Sequence, residues 1–92
     1  MEKIKMTQKQ IFIGKLLLTY ENGATCYQII KDYAKDLKDN GISIDKINSV
    51  NATLASLASK ELATKTKVAY NDKMVTNYKA TQSLIDLVKE SN

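Results

Sequence analysis

The sequence predicts a mainly α-helical α+β fold with three helices, a two-stranded β-hairpin and a short C-terminal helix. Apolar residues recur at helical spacing up to about residue 60. The spacing then becomes two up to residue 80 and returns to helical spacing afterwards. At 92 residues the chain has the size of one domain, so residues 1–92 are interpreted as a single domain with its core at about 7–88.

The first two helices are each predicted to begin at a threonine. Thr7 and Thr25 are both followed three residues later by a glutamine, the spacing of a capping box, in which the two side chains satisfy free backbone N–H groups. The first helix is predicted to run to about Tyr20 and to end at the turn 21–23. The second has one apolar face and is predicted to end at the Asn-Gly pair 40–41.

A third helix is predicted within residues 42–60, and its first residue stays open. Ser43, Asp45 and Asn48 can each cap a helix, so residues 42–47 are either helical or an extended lead-in. The apolar residues expected to face the core are Ile47, Val50, Leu54, Leu57 and Ala58.

Residues 64–70 and 73–80 are predicted to form the hairpin. Both segments are rich in β-branched and aromatic residues, and the Asn-Asp pair 71–72 tolerates the positive φ of a two-residue turn. Thr81 is predicted to cap the last helix, which runs from residue 82 to about residue 89.

Two tyrosines lie on the predicted strands, and they are interpreted differently. Tyr78 is expected to pack across the strands. Tyr70, beside the turn, is compatible with packing and with stacking on a base or sugar.

The element order resembles the winged helix-turn-helix domain of MarR-like and PadR-like bacterial regulators, over about residues 7–88. The most specific stretch, 48–63, is similar to the family's recognition helix, in which small polar residues open the helix, two leucines anchor it and a short turn leads into the hairpin, called the wing. Glu61 stands where the family pattern usually has glycine. The resemblance implies that the third helix enters the major groove of double-stranded DNA while the wing lies on the adjacent backbone or minor groove.

The resemblance also implies which side chains of the third helix contact DNA. Asn48 and Asn51 carry amides that can pair with adenine. Ala52 allows close approach or touches a thymine methyl group, and Ser49 and Ser56 can contact phosphate or base.

The basic residues are concentrated in one block, which favours a polyanionic partner. The net charge is +4, with 14 lysines and no arginine, and residues 46–81 hold six lysines against two acids. Neutralisation of phosphates by lysine releases counterions and strengthens binding. Without arginine, strong guanine-specific readout is not expected. The lysines expected to hold phosphates are Lys60, Lys65, Lys67 and Lys73.

The same block has a simpler interpretation, an ordinary lysine-rich surface in contact with water.

No catalytic or metal-binding pattern is found, so we expect neither an enzyme nor a cofactor. The chain has no histidine, no glycine-rich phosphate loop and a single cysteine, Cys26, which is interpreted as a packing residue. The aspartates at 32, 36 and 39 alternate with lysines and are interpreted as a solvated surface. The lone cysteine favours a reducing, cytoplasmic location, and the apolar run 11–18 is too short for a signal peptide or a membrane span.

A homodimer through the N-terminal and C-terminal segments is predicted, because two-fold symmetry matches the two half-sites of a DNA operator. The apolar residues expected to form it are Met1, Ile4, Met6, Leu84, Ile85, Leu87 and Val88. The alternative function is a winged-helix adaptor or inhibitor, of a phage or mobile element, that binds another protein. It would use the face of the third helix that carries the small residues Ala52, Ala55, Ser56 and Ser59.

Overall fold

The computed structural model describes residues 5–44 and 47–90, with the side chains of all of these except 47, 48 and 90. These described residues form four helices and three strands, which confirms the predicted α+β fold class. The helices are α1 (Gln8–Leu17), α2 (Cys26–Asp39), α3 (Ile47–Ser59) and α4 (Gln82–Glu90). The strands are β1 (Ala24–Thr25), β2 (Ala63–Tyr70) and β3 (Lys73–Ala80).

Both predicted capping boxes are present. The Thr7 hydroxyl accepts the backbone N–H of Gln10 at 3.1 Å, and Gln10 Oε1 accepts the backbone N–H of Thr7 at 2.9 Å. Thr25 and Gln28 repeat this arrangement at 3.2 Å and 3.1 Å. Each box satisfies N–H groups that have no partner in a preceding helical turn, a contribution of about 1 kcal/mol per cap.

Helix α1 ends at Leu17, three residues before the predicted end at Tyr20. The backbone N–H groups of Thr19 and Tyr20 bond to carbonyls three residues earlier, at 3.1 Å each, so the chain tightens as it leaves the helix. The apolar spacing continues past this point because Leu18 and Tyr20 still pack against the core, partly buried. Gly23 then adopts a left-handed conformation, with φ of +84°, immediately before β1.

Helices α2 and α3 end in the same kind of turn, which places one residue in the left-handed region. After α2 this residue is Gly41, with φ of +74°, and after α3 it is Glu61, with φ of +60°. Both turns are closed by a backbone bond of 2.9 Å from the following N–H to a carbonyl five residues earlier. Glu61 therefore adopts the conformation for which glycine is the usual residue.

Replacing Glu61 with glycine is expected to stabilise the domain, because glycine adopts positive φ without a Cβ clash. We expect Glu61→Gly to raise the free energy of unfolding by about 0.5 to 1 kcal/mol in urea denaturation. Ser59→Gly is the matched control: Ser59 is exposed in the last turn of α3, where glycine lowers stability by a similar amount. A loss of stability in both variants would contradict this account of the turn.

Residues 42–44 are not helical, and helix α3 begins at Ile47. This agrees with the lead-in interpretation, and Ile42 is buried there. Of the three candidate caps, Ser43 lies before the helix, Asn48 lies inside it, and Asp45 falls outside the described residues.

The predicted hairpin is confirmed. Strands β2 and β3 pair antiparallel along their full lengths, and Asn71 and Asp72 form the turn with φ of +45° and +63°. Positive φ at both central residues is the geometry that matches the right-handed twist of a hairpin.

The sheet contains one strand that the sequence analysis missed. Strand β1 pairs with β3, Ala24 opposite Tyr78 and Thr25 opposite Asn77, so the strand order is β1-β3-β2. The predicted two-stranded hairpin is therefore part of a three-stranded sheet. Two residues are too few to show strand periodicity.

Helix α4 begins directly after Thr81, as predicted, and ends at Glu90. The Thr81 hydroxyl donates to the Glu61 carbonyl at 3.0 Å, and the Thr81 backbone N–H donates to the Leu62 carbonyl at 3.0 Å. These bonds join the start of α4 to the turn between α3 and β2.

The core lies between the four helices and the base of the sheet. On α3 the predicted core positions Val50, Leu54 and Leu57 are confirmed, Ala58 is partly buried, and the side chain of Ile47 lies outside those described. In the described ranges, no helix is long and apolar enough to cross a membrane. The apolar side chains with no exposed surface are Ile13, Leu17, Ala24, Ile29, Leu37, Val50, Leu54, Leu57, Leu62 and Leu84.

Candidate nucleic-acid interface

One flank of α3 is bonded to the start of α1 through the buried side chain of Gln10. Gln10 Nε2 donates to the Ser56 hydroxyl at 2.9 Å, and that hydroxyl donates to the Thr53 carbonyl at 2.7 Å. Lys60 Nζ donates to Gln10 Oε1 at 3.2 Å and to the Lys5 carbonyl at 2.7 Å. Two of the predicted contact residues, Ser56 and Lys60, are thus engaged within the protein.

A cation that the sequence analysis did not include lies at the first turn of α3. Lys9 of α1 is exposed, and its Nζ donates to the hydroxyl of Ser49, a predicted contact residue. The two residues are 40 positions apart, so no local pattern could have linked them.

The other flank of α3 faces the wing. The Tyr78 hydroxyl donates to Asn51 Oδ1 over 3.5 Å, a long hydrogen bond, and Asn51 Nδ2 has no partner among the described residues. Tyr78 is only 3% exposed, which confirms that it packs. Burial, with a smaller effect from Cys26, raises the pKa of the Tyr78 hydroxyl, which therefore stays a neutral donor.

The side of α3 opposite the core carries small side chains. Ala52 and Ser59 are exposed and Ala55 is half-buried between them. Asn48 lies one turn before Ala52 in the same row, and its side chain is outside those described. No charged residue occurs between positions 47 and 59. A partner can therefore approach the backbone of α3 closely, and charges reach it only from the flanks.

The wing brings exposed lysines to the α3 side of the sheet. Lys65 lies opposite Tyr78 and Lys67 opposite Thr76, and paired residues share a face. Because the Tyr78 side chain reaches α3, this is the face turned towards α3. Lys67 Nζ donates to the Thr76 hydroxyl at 3.1 Å. Lys73 pairs with Tyr70 and is exposed at the end of the hairpin, on the opposite face of the wing.

A cleft of about 270 Å³ lies between α3, the wing and the start of α2. It brings two predicted contact residues, Asn51 and Lys67, to one cavity. A larger open cleft of about 440 Å³, between α1 and the end of α2, contains none of the predicted contact residues. The smaller cleft is lined by Cys26, Tyr27, Asn51, Lys67, Met74, Val75 and Thr76.

Cys26 is buried, and its surroundings do not activate it. Burial raises the pKa of the thiol, and backbone hydrogen bonds lower it to a smaller extent. A neutral thiol is a poor nucleophile, which agrees with the interpretation of Cys26 as a packing residue. No group of three or more histidine, cysteine or acidic side chains that could hold a metal ion is found in the described part of the chain.

The ring of Tyr70 packs within the protein. It stacks on Tyr27, from the first turn of α2, with ring centroids 5.1 Å apart and an interplanar angle of 10°. Tyr70 nevertheless remains 40% exposed, and Met74 on the paired strand is 63% exposed. Of the two interpretations of Tyr70, the structure favours packing.

Among the described residues, part of the apolar surface predicted for a dimer belongs to the core of the chain, whereas Ile85 and Leu87 of α4 are half-buried. Leu84 and Val88 of α4 are buried in the chain's own core. Gly14 of α1 allows this close packing, since a Cβ there would lie 3.2 Å from Leu84 Cδ1. Met6 packs against the core, partly buried, and residues 1–4 lie outside the described residues.

Solved structures of transcriptional regulators share this fold. A PadR family transcriptional regulator from Eggerthella lenta DSM 2243 is similar over 87% of this chain and 67% of that chain, with 21% sequence identity and a TM-score of 0.63. ZitR of Lactococcus lactis, a zinc-responsive MarR family member, is similar over 98% of this chain and 54% of that chain, with 20% identity and a TM-score of 0.64.

These similarities confirm the winged helix-turn-helix fold and the predicted resemblance to PadR and MarR regulators at the level of fold. The chain spans about two thirds of the PadR protein and just over half of ZitR. No protein-family model and no curated protein matches the chain.

Proposed function

We propose that this chain is a cytoplasmic DNA-binding transcriptional regulator rather than an enzyme. In this proposal α3 enters the major groove and the wing lies on the adjoining backbone or minor groove. The observation that carries it is the common orientation of two surfaces: the lysine-bearing face of the wing turns towards α3, and Asn51 and Lys67 line one cleft between them. The fold shared with PadR and MarR family regulators supports the same function.

The residues of α3 take two roles in this proposal. Asn48, Asn51 and Ala52 are assigned to contact with the bases. The small side chains on the outer side of α3 allow its backbone to come close to the floor of the groove, within reach of the base edges. Ser49 and Lys9 contact a phosphate beside the groove, since the Lys9 ammonium already lies against the Ser49 hydroxyl. No guanine-specific contact through arginine is available.

The lysines act on the backbone and do not read sequence. Lys65, Lys67 and Lys73 are exposed and free to reach phosphates from the wing, apart from the Lys67 bond to Thr76. Lys60, like Ser56, must exchange its bonds within the protein before it can reach DNA.

The first test is fluorescence anisotropy with a mixed-sequence duplex at 50 and 200 mM salt. Three lysine–phosphate contacts correspond to a loss of affinity of about 40-fold between these concentrations, from micromolar binding at the lower one. An uncharged dextran of similar mass, added in place of the protein, shows how much of the anisotropy change is due to crowding alone. Absence of binding at 50 mM salt would reject the proposal and favour the alternative, a winged helix that grips another protein.

The homodimer is a second part of the proposal. A two-fold assembly through the terminal segments would present two copies of α3 to two half-sites about 34 to 36 Å apart. Sedimentation equilibrium distinguishes it from a monomer of 10.3 kDa. A mass that stays at one chain up to 100 μM or so, with and without duplex, would contradict it.

A further inference from the structure

We infer that Tyr27 and Tyr70 form a positioning pair that holds the wing at a fixed distance from α3, so that the wing lysines meet the backbone while α3 occupies the groove. The inference rests on the proposed function and deepens it, since neither tyrosine is itself assigned a contact with DNA.

The base of the wing is attached to the domain by strand pairing and by a buried side chain, neither of which reaches its end. At the base, β3 pairs with β1 and Tyr78 is buried. Tyr70 lies five residues along β2 from Lys65, the partner of Tyr78, which corresponds to about 17 Å of strand. A two-stranded ribbon that projects this far into solvent has little rigidity of its own.

The aromatic stack is the contact that ties the end of the wing to the helices. All residues from 69 to 74 are exposed, and among the described residues no hydrogen bond joins this segment to a helix. Tyr70 stacks on Tyr27 almost in parallel, with an interplanar angle of 10°. The contact thus lies at the far end of the hairpin, where it limits bending most effectively.

Tyr27 is a rigid support for this contact. It occupies the first turn of α2, whose start is fixed by the capping box of Thr25 and Gln28. It is partly buried against the core and is preceded by the buried Cys26. Tyr27 also lines the cleft that contains Lys67, so the stack joins the end of the wing to a residue in the wall of that cleft.

A wing held in its binding geometry avoids the ordering cost that a mobile wing would incur on binding. Tyr70 lies opposite Lys73 in the hairpin, so loss of the stack releases Lys73 first. If the free energy of the aromatic stack is lost from the binding geometry, the affinity for the duplex should fall about five-fold. With the wing lysines no longer aligned, the slope of log affinity against log salt falls by about one.

Three single variants test the inference on the full chain: Tyr70→Ala, Tyr27→Leu and, as the conservative control, Tyr70→Phe. For each, anisotropy with the mixed-sequence duplex gives the affinity and its salt slope. The heteronuclear NOE of backbone amides 71–74 gives the mobility of the wing in the free protein. Tyr70→Ala removes an exposed side chain and leaves the core intact. Tyr70→Phe keeps the stacked ring and loses only the hydroxyl.

We expect Tyr70→Ala and Tyr27→Leu to weaken binding about five-fold, to lower the salt slope by about one and to reduce the NOE at 71–74. Tyr70→Phe should match the wild type in all three. Unchanged NOE and salt slope in Tyr70→Ala would overturn the inference. A loss of affinity in Tyr70→Ala with none in a folded Tyr27→Leu would also overturn it, since Tyr70 would then touch DNA itself. If the wild type binds no DNA, the proposed function fails, and the NOE alone still decides whether the stack holds the wing.

Discussion

Replacing Lys65, Lys67 and Lys73 together with alanine is expected to weaken binding to a mixed-sequence duplex on the order of a hundred-fold at 50 mM salt. Each lysine that neutralises a phosphate releases a counterion, so the slope of log affinity against log salt should fall by about three. All three side chains are exposed, so the unfolding temperature should change little. Anisotropy titrations at several salt concentrations measure both quantities.

The matched control removes three lysines from another surface. Lys31, Lys35 and Lys38 are exposed on α2 and do not line the cleft between α3 and the wing. Their replacement with alanine changes the net charge by the same amount. We expect this variant to bind within about three-fold of the wild type. Equal losses in the two triple variants would show that binding depends on total charge and would remove the wing from the proposed interface.

Gly23→Ala is expected to be the most destabilising single change among the glycines. A Cβ at this position would lie 2.4 Å from the Tyr78 carbonyl oxygen, 2.8 Å from Asn77 Nδ2 and 3.0 Å from Lys79 Cβ. The carbonyl belongs to the backbone of β3 and cannot turn aside as a side chain can. The backbone must therefore separate where β1 pairs with β3, in addition to the cost of φ at +84°. We expect a loss of about 3 kcal/mol or more.

Gly41→Ala separates the two causes of this loss. Gly41 has φ of +74°, but a Cβ there would meet nothing within 4 Å. Only the cost of the left-handed conformation applies, about 1 kcal/mol. Thermal unfolding followed by circular dichroism should place Gly23→Ala at least about 8 °C below Gly41→Ala. Equal unfolding temperatures would mean that the contact with β3 relaxes at no cost.

Features determined by a few neighbouring residues could be predicted from the sequence. The two capping boxes need only a threonine and a glutamine three residues later, and both are present. The hairpin needs two residues that accept positive φ between alternating strands, and Asn71 and Asp72 provide them. Even the turn after α3 keeps its expected geometry, although Glu61 replaces the usual glycine.

Features that depend on contacts between distant residues could not be predicted. Strand β1 exists only because β3 lies beside it. The end of α1 could not be located because Leu18 and Tyr20, which lie beyond the helix, still pack against the core and continue its apolar spacing. Lys9 and Ser49 meet across 40 positions, and Tyr27 stacks on a residue from the far end of the hairpin. The bonds that join Ser56 and Lys60 to Gln10 also link residues far apart in the sequence, so the sequence did not indicate them.

Those bonds along one flank of α3 also limit how the helix can move. Ser49 is held by Lys9 at the first turn, and Lys60 is held by Lys5 and Gln10 just past the last. A helix attached at both ends on the same side cannot roll about its own axis without breaking these bonds. Each outward residue of α3 therefore keeps one orientation relative to α1 while these bonds remain. In the proposed DNA complex, a change in the bases that are read would then require substitution of an outward side chain, since rotation of the helix in the groove would break the same bonds.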